Sequence, residues 1–169
     1  ASATAAAAAG GVTTIVCQPA TDPVIDDPAI VDFLLRRARD TGIVRVHSMA
    51  ALTKKLAGRE MTEFGLLQAA GAVAFTDGAR SVTDALVMRR VMTYARDFDA
   101  LIVHHTEDPY LSKGAAMNSG ERATRLGLTG AHRLAETIVV ERDVRLVEMT
   151  GGRYHAATIT CAESLDAIR

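Results

Sequence analysis

The sequence of 169 residues predicts an α/β fold, a (β/α)8 barrel of which this chain supplies about five strand-helix units in one domain, residues 1–169. Two observations predict a parallel sheet: the strands are short and apolar throughout, and they alternate with helices about every 30 residues. Parallel neighbours need helical crossovers, which cover the sheet. A third observation favours the barrel, because polar and histidine side chains follow several strands, where barrel enzymes hold their reacting groups.

The first unit is predicted from helix and strand boundaries. Residues 5–9 are strong helix-forming sequence closed by Gly10-Gly11, and residues 12–17 form a β-branched strand followed by a loop rich in Pro and Asp. Asp27-Pro28 predicts an N-cap with proline at the first helical position, and Gly42 ends that helix. Its apolar face carries Ile30, Val31, Leu34 and Leu35.

The later units repeat this alternation. Predicted strands cover residues 43–49, 72–76, 100–104 and 153–158, and predicted helices cover 62–70, 82–97, 131–150 and a stretch from about Ala162. A longer polar insertion follows His105 and extends through Gly120.

An open doubly wound sheet is the alternative to the barrel. Its nucleotide-binding form carries G-x-G-x-x-G after the first strand, whereas this chain has Gln18-Pro19-Ala20-Thr21 there. Five units of a barrel would leave two unpaired sheet edges, and the chain starts and stops in helix-like sequence. We therefore expect Ala1 and Arg169 to bound an internal piece of a longer chain.

Composition and charge indicate the cellular location of the protein and exclude some classes of partner. The formal net charge is -1 with a pI near 6.6, and no basic run exceeds a pair, so neither nucleic acid nor an anionic membrane is an expected partner. No apolar stretch approaches the length of a membrane span. Cys17 and Cys161 have no metal-type spacing and are predicted to be reduced and buried, which suits a cytoplasmic protein.

Several strand ends carry candidate chemistry, each with a structural alternative. The positions are Ala20, Asp77-Gly78, His104-His105 with Glu107-Asp108, and His155 with Thr158. An Asp after a strand is more often a turn or helix cap than a ligand. Of the two adjacent histidines only one can face the barrel mouth, and the other must pack among the helices. His47 and His132 are predicted to be structural or exposed.

Several segments together closely resemble bacterial dihydroorotase, a member of the amidohydrolase superfamily, essentially from end to end. They are residues 10–23 (GGVTTIVCQPATDP), 71–77 (GAVAFTD), 101–108 (LIVHHTED), 117–120 (MNSG) leading to 126–128 (LGL), and 153–155 (RYH) with 162–164 (AES). The resemblance implies a metal-dependent (β/α)8 barrel of the TIM type, of which this chain supplies the second to sixth strands.

The resemblance also implies a chemistry. In that family zinc activates a water that hydrolyses the ring amide of dihydroorotate, or in reverse polarises carbamoyl aspartate for cyclisation, a step of pyrimidine biosynthesis. The family's ligands are an H-x-H pair on the first strand, an acidic or carboxylated-lysine bridge near the fourth, one His each on the fifth and sixth, and an Asp on the eighth. The first and eighth strands are not among these residues.

Compared residue by residue, this chain departs from the family pattern. His105 matches the fifth-strand histidine. Gly78 stands where the family has a metal-binding Asp, and Asp77 is displaced from that position by one residue. Thr158 replaces the sixth-strand histidine, and Ala20 replaces the Asn that helps hold the substrate carboxylate. The expected metal ligands here are therefore His105 and, by a local shift, Asp77.

Three functional hypotheses follow. In the first, the chain is a non-catalytic dihydroorotase homologue, without zinc or catalytic residues, that acts as a structural partner of aspartate carbamoyltransferase in a homo- or hetero-oligomer. In the second, it belongs to an active zinc-dependent dihydroorotase or related cyclic amide hydrolase, in which His105, Asp77 and His155 join ligands outside this segment. In the third, it is a general α/β domain with a strand-end site unrelated to zinc.

Overall fold

The computed structural model describes residues 2–169, so Ala1 lies outside the described residues. Helices and strands alternate in the predicted order. The helices are α1 (Ser2–Ala9), α2 (Pro28–Thr41), α3 (Phe64–Ala69), α4 (Ala85–Arg96), α5 (Glu121–Leu126), α6 (Leu134–Thr150) and α7 (Ala162–Ile168). The strands are β1 (Thr14–Cys17), β2 (Arg45–Ala50), β3 (Ala72–Phe75), β4 (Leu101–His105), β5 (Met117–Asn118), β6 (Gly130–Ala131) and β7 (Arg153–Ala157).

Five of these strands form one parallel sheet in the order β1-β2-β3-β4-β7. Strands adjacent in the sheet are thus successive in the βα repeat, which is the arrangement of a barrel wall. Because all five run in one direction, their carboxyl ends meet at one edge. The register pairs His105 at the end of β4 with Ala157 at the end of β7.

The apolar core lies between this sheet and the helices. Phe64 of α3 packs on Phe75 of β3 with ring centroids 4.4 Å apart, and both side chains are buried with Met88 of α4. On the opposite face of the sheet, Val16 and Val73 are 45% and 49% exposed. The five strands are therefore covered by helices on one face and open on the other, as in a segment of a barrel.

Helix starts are set by caps and by tertiary contacts. Asp27 caps α2 as predicted, because its carboxylate accepts from the Ala29 amide at 2.8 Å. Helix α4 begins at Ala85, three residues later than predicted. Its cap is Asp84, and the Val82 amide is already donated to a histidine ring rather than to a helix turn.

The segment between β4 and α6, which includes the polar insertion, contains structure that the sequence did not predict. Strands β5 and β6 pair in parallel. Helix α5 lies between them in the sequence and is capped at its carboxyl end by Gly127, which has a φ of 64°. Helix α6 consequently starts at Leu134 rather than at residue 131, because Gly130–Ala131 forms the short strand. Two-residue strands have no hydrophobic period, so the pattern could not reveal them.

Other expectations concern single side chains and membrane spans. Cys17 and Cys161 are free thiols, but both are half-buried rather than buried, since they lie at an edge strand and at a helix start. His47 and His132 are exposed. Within residues 2–169, none of the helices combines the length and the apolar character needed to cross a membrane.

Candidate functional site at the carboxyl ends of the strands

The two histidines that end β4 point to opposite faces of the sheet. His104 faces the helices and is fully buried, with Nδ1 2.6 Å from Asp143 Oδ2 and Nε2 accepting from the Val82 amide at 2.8 Å. Because Nε2 accepts, the ring is neutral and carries its proton on Nδ1, which donates to the carboxylate. His104 is therefore a structural residue of the helix layer.

Asp143 of α6 is the centre of the buried network around His104. Its carboxylate also accepts from the Tyr154 hydroxyl at 2.7 Å and from Arg142 Nε at 2.8 Å. Burial alone would raise the pKa of Asp143, but the hydrogen bond from His104 and the charge of Arg142 outweigh it and lower the pKa. Burial and the Asp143 carboxylate together raise the pKa of Tyr154. The network joins β4, α6 and β7 on the helix-covered face of the sheet.

His105 faces the mouth and is half-buried. Its Nδ1 lies 3.1 Å from Thr158 Oγ1, and its Nε2 lies 3.7 Å from Glu107 Oε2. The Thr158 hydroxyl donates to the Ala157 carbonyl at 2.6 Å, so toward His105 it acts as the acceptor of an Nδ1 proton. Thr158 has a φ of 62°, a strained conformation for a β-branched residue. The positions that match the two histidine ligands of the family thus touch each other directly.

Ser81 fixes the backbone that carries His105. Its hydroxyl lies 2.5 Å from both the His105 and the Glu107 carbonyl oxygens, and it accepts from the Glu107 amide at 3.2 Å. Sequence reasoning missed Ser81, because a serine in a loop carries no signal of a contact 24 residues away. Ser81 therefore holds the backbone of His105 in place, although the residue beside the His105 ring is a threonine and not a second histidine.

Asp77, the candidate ligand displaced by one residue from the family position, is hydrogen-bonded to the loop after β2. It is 2% exposed, and its carboxylate accepts from the Thr53 amide at 2.9 Å and from the Thr53 hydroxyl. The same hydroxyl accepts from the Gly58 amide at 2.8 Å. Burial raises the pKa of Asp77, and the hydrogen bonds from Thr53 oppose that shift only in part. Both carboxylate oxygens thus hold Thr53 and the turn that follows it.

Gly78 and Ala20 face each other across the strand ends. Gly78 has a φ of 67°, and a Cβ atom built there would lie 3.3 Å from Gln18 Oε1 and 3.7 Å from the Ala20 Cβ. An acidic side chain at this position would point toward the loop after β1 and would need a left-handed backbone. His155 lies on β7 and is exposed. The structure therefore places two departures from the family pattern, Ala20 and Gly78, beside each other, and the third, Thr158, beside the retained His105.

The donors in this part of the barrel do not fit a metal ion. No group of three or more His, Cys, Asp or Glu residues within 2–169 could hold one. Asp77 is occupied by Thr53, Gly78 has no side chain, and the Thr158 hydroxyl is a poor zinc ligand that already bonds its own backbone. His105 is left with Glu107 as its acidic neighbour, whereas zinc takes three or four protein ligands.

The fold defines the class as a segment of a (β/α)8 barrel, and comparisons with known proteins give the family. A family model described as "Dihydro-orotase-like" matches residues 1–164. The dihydroorotase of Syntrophobacter fumaroxidans is 44% identical over 165 residues, which are 98% of this chain and 38% of that protein. That of Desulfotalea psychrophila is 44% identical over 166 residues, 98% of this chain and 39% of that protein. The chain belongs to the dihydroorotase-like family.

Solved structures support the same architecture. The L-hydantoinase (dihydropyrimidinase) of Arthrobacter aurescens superimposes with a TM-score of 0.73 at 18% identity, over 98% of this chain and 38% of that one. A D-hydantoinase superimposes with a TM-score of 0.69 at 20% identity, over 99% of this chain and 38% of that one. At such identities the likeness shows the fold alone. The chain spans about two fifths of the length of the relatives that it matches.

Proposed function

We propose that this chain is part of a dihydroorotase-like protein of pyrimidine biosynthesis that has kept the barrel and lost its metal-dependent chemistry. In this proposal the protein is cytoplasmic and acts as a structural partner of aspartate carbamoyltransferase in a homo- or hetero-oligomer. One observation carries the loss of chemistry: at the strand ends, the side chains that would hold a metal are absent or already bonded within the protein.

The proposed loss of activity concerns the metal-bound water that attacks the substrate in this family. Hydrolysis of a cyclic amide at neutral pH by this family depends on a metal that lowers the pKa of water and polarises the carbonyl. Within residues 2–169, His105 is the strand-end histidine that matches a family ligand and faces the barrel mouth, and there it meets Thr158. With Ala20 in place of a carboxylate-binding amide, the orientation of a substrate would be weakened as well.

The partner is inferred from the resemblance, because non-catalytic relatives in this family support the assembly of aspartate carbamoyltransferase. A scaffold needs a rigid fold more than a reactive site. The buried network of His104 and Asp143 and the clasp of Asp77 on Thr53 supply rigidity next to the degenerate positions.

An active hydrolase is the second candidate, and a specific observation favours it. Ser81 and Glu107 still position His105, and the relatives at 44% identity are named dihydroorotases. In that case His105, Asp77 and His155 would combine with ligands from parts of the protein beyond this segment.

Metal content and turnover of the full-length protein test the proposal. We expect no stoichiometric zinc by elemental analysis after expression with added zinc, because Gly78 and Thr158 remove two of the ligands that the family uses. We also expect no conversion of dihydroorotate, and co-purification with aspartate carbamoyltransferase. An active dihydroorotase treated in parallel is the control. Stoichiometric zinc together with dihydroorotate turnover would remove the proposal.

Repair of the two ligand positions separates the candidates. The double variant Gly78→Asp with Thr158→His should bind zinc more tightly than the wild-type protein, and activity should appear only in this variant if it appears at all. Gly78→Asn with Thr158→His is the matched control, because Asn imposes the same left-handed strain, about 1 kcal/mol, without a charge. If the wild-type protein is active and the repair impairs it, the second candidate is correct.

A further inference from the structure

A cleft of about 620 Å³ opens between the segments that follow β2, β3 and β4, beside His105. This volume is in the range of small-molecule sites. Its walls are formed by residues 56–59, by the stretch from Ala79 to Asp84, and by the start of the insertion after β4. The lining includes His105 but not Ala20, Gly78 or Thr158, so the cleft borders the degenerate metal and substrate positions without containing them.

Two arginines line this cleft without a carboxylate partner. Within residues 2–169, neither Arg59 nor Arg80 takes part in an ion pair. Arg80 donates Nη1 to the Leu56 carbonyl at 3.2 Å, which anchors its guanidinium at the wall and leaves its other N–H groups available. A guanidinium presents five donors in a planar fork that matches carboxylate and phosphate oxygens.

The two acidic residues of the cleft are already engaged. Asp84 caps α4 by accepting from the Leu86 and Val87 amides at 2.8 and 3.2 Å, where the positive end of the helix favours its charge. Glu107 lies beside the His105 ring. Within residues 2–169, the two carboxylates balance the formal charge of the cleft, but neither forms an ion pair with Arg59 or Arg80, whose guanidinium groups therefore keep N–H donors without a carboxylate acceptor.

The turn that carries Arg59 is strained and firmly held. Lys55 and Leu56 both have a φ of 56°, a conformation that costs of order 1–3 kcal/mol for each residue other than glycine. The Lys55 amide donates to Asp26 Oδ2 at 2.8 Å, and the Leu56 amide donates to the Thr53 carbonyl at 3.0 Å. Thr53 is itself held by Asp77. Strain that the surroundings over-determine in this way is characteristic of ligand clamps.

We propose that this cleft binds a small-molecule oxyanion, a phosphate or carboxylate compound, between Arg59 and Arg80. The strained turn fixes the Arg59 side of the cleft before the ligand arrives, and the bond to Leu56 fixes the Arg80 side. The anchored Arg80 guanidinium and the fixed backbone that carries Arg59 lower the cost of ordering the site on binding. The site needs neither metal nor catalysis, so it is independent of whether the protein is a scaffold or a hydrolase.

Calorimetric titration of the full-length protein tests this site, with inorganic phosphate and succinate as probes and sodium chloride at matched ionic strength as the blank. We expect saturable binding of phosphate, succinate or both, weakened at least tenfold by Arg59→Gln and by Arg80→Gln. Arg89→Gln is the control, because that exposed arginine on α4 lies outside the cleft. Arg59 is exposed, and its side chain forms no hydrogen bond or ion pair within residues 2–169, so its substitution should leave the fold intact.

The two probes also distinguish the sources of the oxyanion, since a response to phosphate alone indicates phosphate compounds and a response to succinate alone indicates carboxylates. The absence of saturable binding for both probes overturns the proposal. Binding that survives either Arg59→Gln or Arg80→Gln overturns it equally.

Discussion

Replacement of Asp143 by Ala should lower the free energy of unfolding by about 3–5 kcal/mol, the cost of breaking a buried charge network by removing one partner. The carboxylate is fully buried and satisfies His104 Nδ1, the Tyr154 hydroxyl and Arg142 Nε. Its loss would leave the Tyr154 hydroxyl and the buried His104 N–H without their acceptor, and Arg142 without its counter-charge. Chemical denaturation with a fluorescence or circular dichroism readout measures the change.

The pH dependence of this variant follows from the direction of the pKa shift. The folded-state pKa of Asp143 is lowered, so the folded protein binds this proton less tightly than the unfolded chain. The stabilisation is thus fully present above the ordinary Asp pKa and is lost as the pH falls through the lowered value. Asp143→Ala should lack that part of the acid transition.

Two substitutions serve as controls for Asp143. Asp40→Ala removes an exposed carboxylate from α2 and should change the unfolding free energy by less than about 0.5 kcal/mol. Tyr154→Phe removes a single donor from the network and should cost about 1 kcal/mol. A loss of less than 1 kcal/mol in Asp143→Ala would show that the network does not stabilise the fold.

The sheet could be predicted from the sequence because its signal is local. Each strand of the sheet is a short segment that begins within a few residues of a Gly or Asp, and the alternation with helices indicates which strands are parallel. The two faces of β4 followed from the same reasoning, since adjacent strand residues point in opposite directions and one of His104 and His105 had to pack among helices. The structure confirms that division.

What the sequence could not predict depends on distant contacts. His104 meets Asp143 across 39 residues, and no spacing rule relates a strand histidine to an aspartate in a later helix. The sequence pattern predicts too early a start for α4, because nothing in it shows that the Val82 amide donates to the His104 ring and not to a helical turn. The occupation of Asp77 by Thr53 is of the same kind. Departures from a family pattern show which groups are missing, whereas the structure shows what the remaining groups bind instead.

Glu136 also bonds to residues that are distant in the sequence, and its replacement has the second of the two largest expected effects on stability. Its carboxylate lies in the first turn of α6, is 6% exposed, and accepts four hydrogen bonds from the start of α7. They come from the Thr160 amide at 2.8 Å, the Thr160 hydroxyl at 2.5 Å, the Cys161 amide at 3.0 Å and the Ser164 hydroxyl at 2.6 Å. A negative charge is also favoured at the amino end of both helices.

Glu136→Ala should therefore cost about 3 kcal/mol, because several donors at the α6–α7 junction would lose their acceptor. Burial alone would raise the pKa of Glu136, but the hydrogen bonds from Ser164, Thr160 and Cys161 outweigh it and lower the pKa. The stabilisation is accordingly complete above the ordinary Glu pKa and declines as the pH falls through the lowered value. Glu136→Gln keeps the shape and one acceptor oxygen, so it should cost about half as much and remove this pH dependence.

Hydrogen exchange distinguishes loss of this junction from a general loss of stability. In Glu136→Ala the amides of residues 162–168 should lose protection first, while those of β4 keep theirs, because α7 would open without the sheet. Glu141→Ala, an exposed position on α6, is the matched control and should leave the exchange of α7 unchanged. Uniform loss of protection across the sheet and α7 would mean that α7 does not open as a separate unit and that Glu136 acts on the whole fold.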